Sequence, residues 1–224
     1  MTTKAKEAAG KKAAELVENG MVVGLGTGST ARFFIQALGE RCREGLNISA
    51  VATSQASEEQ ARQEGIPIID INQLETIDLD VDGADEIDPQ KRMIKGGGGA
   101  LFREKIIAGM SREMIVIIDP SKQVDALGKF PLPVEISPFA HRATLKHISN
   151  LGHEGAIRQT TEGKPFITDN QNLIFDINLP FPCTNPEEIE QKLTQIPGVI
   201  DTGFFIGYAG RVIMGDDKGD VVIS

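Results

Sequence analysis

Acids, lysine and four consecutive glycines crowd residues 80–105, which read Asp80-Val-Asp-Gly-Ala-Asp-Glu-Ile-Asp88 and, after a short link, Lys95-Gly-Gly-Gly-Gly-Ala-Leu-Phe-Arg-Glu-Lys105. Glycine runs cost helix and strand stability through backbone entropy, so this composition needs another reason to exist. Proton chemistry supplies one, and the stretch reads as an active site. A calcium loop is excluded: with Asp80 in first position the fifth is Ala84, and the required sixth-position glycine is missing. Glu104 falls one turn inside a predicted helix over residues 100–110. Its neighbours at i−3, i+3 and i+4 are Leu101, Ile107 and Ala108. A carboxylate beside such an apolar face is desolvated, which raises its pKa toward the range of a working base.

A second glycine motif, Gly24-Leu-Gly-Thr-Gly-Ser-Thr30, stands between a short apolar strand over residues 21–23 and a helix over 31–38. Backbone N–H groups at a strand-to-helix turn face an anion such as phosphate. No lysine follows Gly28, which excludes a Walker loop. Ser29 stands where a dinucleotide fingerprint needs its third glycine, and Val51-Ala-Thr-Ser54 carries no acid for a ribose, so NAD is not expected. The plain alternative is a turn in which Ser29 or Thr30 only caps the helix.

These residues need elements to position them. Helical spacing covers residues 4–19 and 57–64. Strands are predicted at 48–52, 66–70, 76–81 and 114–118, the last ending at Asp119-Pro-Ser-Lys122. Strands alternating with helices imply right-handed crossovers and a doubly wound, mostly parallel sheet. The glycine loop, Thr53-Ser54, the acid cluster and Ser121-Lys122 then share one rim, where ligands of such sheets bind. From Leu132 the order changes to β-α-β-β-α-β, with strands at 132–136, 154–159, 173–179 and 199–201 and helices at 139–151 and from Pro186. That order is ferredoxin-like, a smaller α+β domain. Residues 204–214 and 221–223 read as strands that return to the first domain or bridge the two. The expected division is 1–130 with 204–224, and 131–203.

At 224 residues the chain corresponds to about one and a half domains. With 40% hydrophobic residues it can bury a core without staples. The net charge of −9 disfavours nucleic acid and anionic lipid, so an anionic substrate needs a local cationic pocket. Cys42 and Cys183 lack metal spacing and read as free thiols, and His141 and His153 read as structural, so no metal site is expected. No apolar leader or membrane-length run is present, and a cytoplasmic protein is expected.

Taken together, Gly24-Leu-Gly-Thr-Gly-Ser-Thr-Ala31, Val81-Asp-Gly-Ala-Asp-Glu-Ile87, Ile94-Lys-Gly-Gly-Gly98, Arg103-Glu-Lys-Ile-Ile107 and Ser121-Lys-Gln-Val-Asp125 through Gly128-Lys-Phe-Pro-Leu-Pro-Val-Glu135 resemble the A-type ribose-5-phosphate isomerases. A weaker echo in residues 196–205 extends the likeness over nearly the whole chain. The resemblance implies an aldose-ketose isomerase of the pentose phosphate pathway that works without metal or nucleotide cofactor, as a homodimer or tetramer. It puts Glu104 at the general base and Asp82, Asp85 and Lys95 at the other catalytic groups. It puts Thr27, Gly28, Ser29, Thr30, Gly83, Ala84, Gly96, Gly97 and Lys122 at substrate-binding positions, with Lys6 as an addition to the phosphate pocket. Gly99 and Phe102 depart from the family pattern, which has Ala and a smaller residue there.

The implied chemistry moves a proton between C2 and C1 through an enediolate. Glu104 would carry it, Lys95 and the glycine N–H groups would stabilise the oxyanion, and Asp82 with Asp85 would open the ring and move hydroxyl protons. Two other readings share the rim. A sugar-phosphate sensor would need an attached helix-turn-helix, and a coenzyme A transferase a longer chain to hold its pantetheine arm.

Overall fold

In the computed structural model residues 3–224 are described; residues 1 and 2, assigned above to the first domain, lie outside them. In chain order the elements are α1 (Thr3–Ala14), β1 (Val22–Leu25), α2 (Ala31–Arg43), β2 (Ser49–Ala52), α3 (Gln55–Gln63), β3 (Leu79–Asp82), β4 (Glu86–Ile87), β5 (Met93–Ile94), α4 (Leu101–Met110) and β6 (Met114–Ile118). They continue as β7 (Leu132–Ile136), α5 (His141–Asn150), β8 (Gly155–Ile157), β9 (Leu173–Ile177), α6 (Pro186–Thr194), β10 (Val199–Thr202), β11 (Phe204–Phe205), β12 (Ala209–Gly215) and β13 (Val221–Ile223). They form two compact units. The first holds the described residues through Ala84, with Arg103–Gln123 and Tyr208–Ser224; the second holds Asp85–Phe102 and Val124–Gly207.

The first unit is built on a six-stranded sheet of order β13-β12-β6-β3-β1-β2, parallel except for the edge strand β13. All five residues of β6 are buried, as expected for an inner parallel strand covered on both faces. On one face Val23, Leu25, Ala50, Ile115 and Ile117 pack with Ala9 and Ala13 of α1 and Phe34 and Leu38 of α2. On the other, Val22, Val51 and Ile77 pack with Ile107 and Met110 of α4. Helices on both faces make this the doubly wound α/β fold expected from the strand-helix alternation.

The second unit contains a four-stranded antiparallel sheet of order β10-β7-β9-β8. With α5 and α6 between its strands this is the ferredoxin-like arrangement. Its core joins Leu132, Val134, Ile136, Ile148, Phe175, Ile177, Ile189 and Leu193. Cys183 is buried with them, and burial pushes its thiol pKa up.

Four expectations need correction. Residues 66–70 are not a strand: they make only an isolated bridge, Ala50↔Ile68, before a 3-10 turn at Ile71–Gln73. Pro67 has no N–H to give a ladder, and the Asp70 carboxylate turns the chain by accepting the Asn72 N–H at 3.0 Å. The first helix ends at Ala14 rather than residue 19: the Leu16 and Val17 N–H groups close a tighter turn onto the Ala13 and Ala14 carbonyls, and the Arg41 guanidinium donates to the Ala14 and Val17 carbonyls. The strand over 204–214 is two strands in different sheets, β11 beside β5 and β12 beside β6. The units divide differently as well: residues 85–102, 124–130 and 204–207 belong to the second. There β4, β5 and β11 form a small antiparallel sheet whose two-residue strands leave no periodicity to read.

Ile117 is fully buried at the centre of the parallel sheet. Ile117→Ala should lower unfolding free energy by about 2–5 kcal/mol in urea titrations.

Candidate active site

In the first unit β6, β3, β1 and β2 are adjacent and parallel, so their C-terminal ends share one rim. Four segments meet there: residues 24–30, Thr53-Ser54, residues 82–84 and residues 119–122. Asp82 is the last residue of β3 and fully buried, a strand residue and not, as the spacing suggested, one past the strand end. Its Oδ1 accepts the N–H groups of Thr27 at 3.0 Å and Gly83 at 2.7 Å. The loop after β1 is thereby tied to the end of β3.

The glycines of that loop serve two purposes. A Cβ on Gly26 would lie 2.2 Å from Asp82 Oδ1 and 2.6 Å from its Cα, and one on Gly24 would lie 2.6 Å from Asp80 Oδ1. Both must be glycine for β1 to lie beside the acids of β3. Gly28, at φ +120°, turns the chain into α2. Thr30 at the start of α2 makes no side-chain cap, so the reading of Ser29 or Thr30 as caps is set aside. The Arg32 and Phe33 N–H groups are met instead by the Gly28 and Thr30 carbonyls, both at 3.1 Å.

Hydroxyls extend the loop. Thr27 Oγ1 lies 2.6 Å from Thr53 Oγ1 and 2.7 Å from Ser54 Oγ, while Ser57 Oγ donates to the Gly26 carbonyl at 2.7 Å. A cavity of about 570 Å³ opens against them, lined by Thr27, Gly28, Ser29, Arg32, Ser57 and Gln60 among others. Beside it lies one of about 360 Å³ that includes Lys6, Ser29 and Arg32, and Lys6 Nζ donates to Ser29 Oγ at 2.8 Å. Lys122 is half-buried in the 3-10 turn after β6, which Asp119 caps by accepting the Ser121 N–H at 3.0 Å. Glu104 on α4 is 3% exposed, in the helix that buries Ile107 and Ala108.

In the second unit β5 leads into the other glycine run. Lys95 is 2% exposed, its N–H bonds the Gly203 carbonyl at 2.8 Å and its ammonium sits 5.3 Å above the Phe205 ring. The Gly97 N–H donates to Asp85 Oδ2 at 2.7 Å. The Gly96 and Gly97 carbonyls accept Arg158 Nη1 at 2.8 and 3.1 Å. Gly99, one of the departures noted above, has φ +79°, and the Phe166 ring fills the place of its Cβ, 2.4 Å away at the nearest atom.

Thr27, Gly28, Ser29, Thr30, Asp82, Gly83, Ala84, Glu104 and Lys122 thus belong to the first unit, and Asp85, Lys95, Gly96 and Gly97 to the second. Three features escaped the sequence. The Thr27–Thr53–Ser54–Ser57 hydroxyl cluster was marked only by Thr53-Ser54 at a strand end. The glycine-for-carboxylate fit of β1 on β3 has no linear signature. Arg158 lies far along the chain from the glycines it holds, and nothing in its neighbourhood singles it out. Among the described residues no group of three or more His, Cys, Asp or Glu side chains is placed to hold a metal ion.

Comparison with known proteins adds a family. The profile described as Ribose 5-phosphate isomerase A (phosphoriboisomerase A) matches residues 49–219. A relative in Protochlamydia amoebophila named Ribose-5-phosphate isomerase A is 52% identical over 216 residues, covering 96% of this chain and 93% of that one. The solved ribose 5-phosphate isomerase A of Methanocaldococcus jannaschii superposes with TM-score 0.91 at 39% identity, covering 98% of this chain and 97% of that one. A D-ribose-5-phosphate isomerase in complex with phospho-erythronic acid gives TM-score 0.92 at 40% identity, with 98% and 96% covered.

The closeness of β1 to β3 is testable by itself. Because the nearest atoms to a Gly26 Cβ include the Asp82 backbone, Gly26→Ala should destabilise the protein by about 1–3 kcal/mol in urea titrations. Ser29→Ala, at an exposed position, should change stability by less than about 0.5 kcal/mol.

Proposed function

The chain belongs to the ribose 5-phosphate isomerase A family, and from that membership we infer that it interconverts D-ribose 5-phosphate and D-ribulose 5-phosphate through an enediolate. The observation that carries the reading is the rim of the parallel sheet. There a glycine loop, a cluster of hydroxyls and buried carboxylates end adjacent strands. A phosphate and a proton transfer need those groups.

In the open aldose a base takes the proton from C2, the electron pair forms the C1–C2 double bond, and the charge passes to O1. Returning a proton to C1 while O2 gives its proton toward O1 yields the ketose, with atoms and charge balanced. Glu104 is the base that carries the carbon-bound proton, a role worth about 10²- to 10⁴-fold in rate. Lys95 and those N–H groups of the glycine run that are not taken by Asp85 or by the Gly96 carbonyl stabilise the oxygen charge. Asp82 and Asp85 move hydroxyl protons and assist ring opening. Thr27, Gly28, Ser29, Thr30 and Lys122 hold the phosphate, with Lys6 beside Ser29, while the backbone at Gly83, Ala84, Gly96 and Gly97 contacts the sugar. A solved relative is in complex with phospho-erythronic acid, a phosphorylated sugar acid, which supports a sugar phosphate as the ligand here.

A cytoplasmic, homo-oligomeric enzyme completes the proposal. Among the described residues no helix is long and apolar enough to cross a membrane.

Ribose 5-phosphate incubated with the enzyme in deuterated water should acquire carbon-bound deuterium as ketose forms; a sensor or a transferase leaves the carbon unlabelled. Glu104→Gln should keep substrate binding and lose about 10²-fold or more in kcat. Near-normal turnover would remove Glu104 from its role. Lys122→Ala should mainly raise KM, and a loss confined to kcat would argue against phosphate contact.

A further inference from the structure

We infer that Arg158, held by Asp176, is a positioning residue for the isomerisation: it sets the peptide planes of the glycine run that follows Lys95. The inference rests on the function proposed above and concerns residues of the second unit only.

The Arg158 guanidinium makes two sets of bonds. Nε and Nη2 engage Asp176 Oδ2 and Oδ1 at 2.9 and 2.6 Å, a bidentate fork that removes its rotational freedom. Nη1 then reaches the carbonyls of Gly96 at 2.8 Å and Gly97 at 3.1 Å. The group is only 16% exposed and lies 5.9 Å from the Phe166 ring, the same ring that fills the space beside Gly99.

Planarity of the peptide bond turns these contacts into directions. The Gly96 carbonyl and the Gly97 N–H are opposite ends of one trans peptide. Arg158 holds the oxygen end and Asp85 Oδ2 holds the N–H end at 2.7 Å, so that plane is pinned from both sides. In the next plane the Gly97 carbonyl faces Arg158, which turns the Gly98 N–H the other way, away from the guanidinium. Glycine backbone has the widest conformational freedom of any residue; one bond within the run, from the Gly99 N–H to the Gly96 carbonyl at 2.9 Å, closes a turn, and the remaining directions are imposed from outside. Donors to a developing oxyanion work only when aimed beforehand. Arg158 supplies the aim without touching the substrate.

The experiment compares wild type with Arg158→Met, Arg158→Lys and Asp176→Asn in the full-length enzyme. It measures Tm, kcat and KM for ribose 5-phosphate, and inhibition by 4-phospho-D-erythronate. Arg158→Met should lose about 10- to 100-fold in kcat with KM within about threefold, the pattern of a misaimed donor. The inhibition constant for phosphoerythronate should rise by a factor similar to the kcat loss, since its carboxylate tests the same donors. Arg158→Lys, which keeps the charge but cannot hold Asp176 and both carbonyls together, should fall between, and it decides the matter if Arg158→Met does not fold. Folded variants that lower Tm alone, or that raise KM at unchanged kcat, overturn the inference. Absence of isomerase activity in the wild type overturns the proposed function and this inference with it. An active wild type with unimpaired Arg158 variants overturns the inference alone.

Discussion

Strand β1 lies beside β3 with no room for a single methyl group, and the first unit depends on that fit. Asp80 and Asp82 are both fully buried on β3, and their carboxylates occupy the space that side chains at Gly24 and Gly26 would take. Burying a carboxylate costs several kcal/mol unless hydrogen bonds offset it. Asp82 meets that requirement in part with the N–H groups of Thr27 and Gly83 on one oxygen. These charge-assisted bonds are among the stronger ones available to a backbone donor. They make the loop after β1 and the end of β3 one body.

The second unit uses glycine in another way. In the first, glycine makes space; in the run after Lys95, it makes directions possible. At φ +98° and +79°, Gly96 and Gly99 adopt backbone that L side chains rarely reach, and the planes between them are held by Arg158 and Asp85. Lys95 is treated differently again. Its ammonium is buried over the face of Phe205. Both units therefore follow one rule: flexible backbone is placed where charge must be met and is then locked by a neighbouring ion.

Much of the fold was legible. The strands Met114–Ile118 and Leu132–Ile136 match their predicted bounds because each is an uninterrupted or alternating apolar run with clear stops. The ferredoxin-like order followed from element sequence alone. What failed has physical causes. Residues 66–70 look like a strand until Pro67 is counted as a missing donor. The domain boundary was misplaced because β4, β5 and β11 are two-residue strands that exist only through pairing with one another. In the site, residue types near a strand end were readable, since a parallel sheet gathers its C-terminal loops at one rim. The reason for Gly24 and Gly26 was not readable, because it lies in the acids of another strand. Arg158 was unreadable for the same reason, its partners being carbonyls that every sequence possesses.

Charge poses the last question, because a chain of net charge −9 must attract a dianionic phosphate to a rim that also carries buried acids. Distance and screening settle it. At physiological ionic strength the Debye length is about 8 Å, so the acids scattered over the surface contribute little at the rim, whereas contacts at hydrogen-bond range are hardly screened. At that range the first unit offers cations, Lys6 bonded to Ser29 and Arg32 beside it, both lining the cavities next to the loop. The nearest buried acid, Asp82, already has one oxygen saturated by two N–H groups. The positive potential beside the loop therefore comes mainly from the Lys6 and Arg32 side chains. Local cations at the cavity, and not the net charge of the chain, set the potential there.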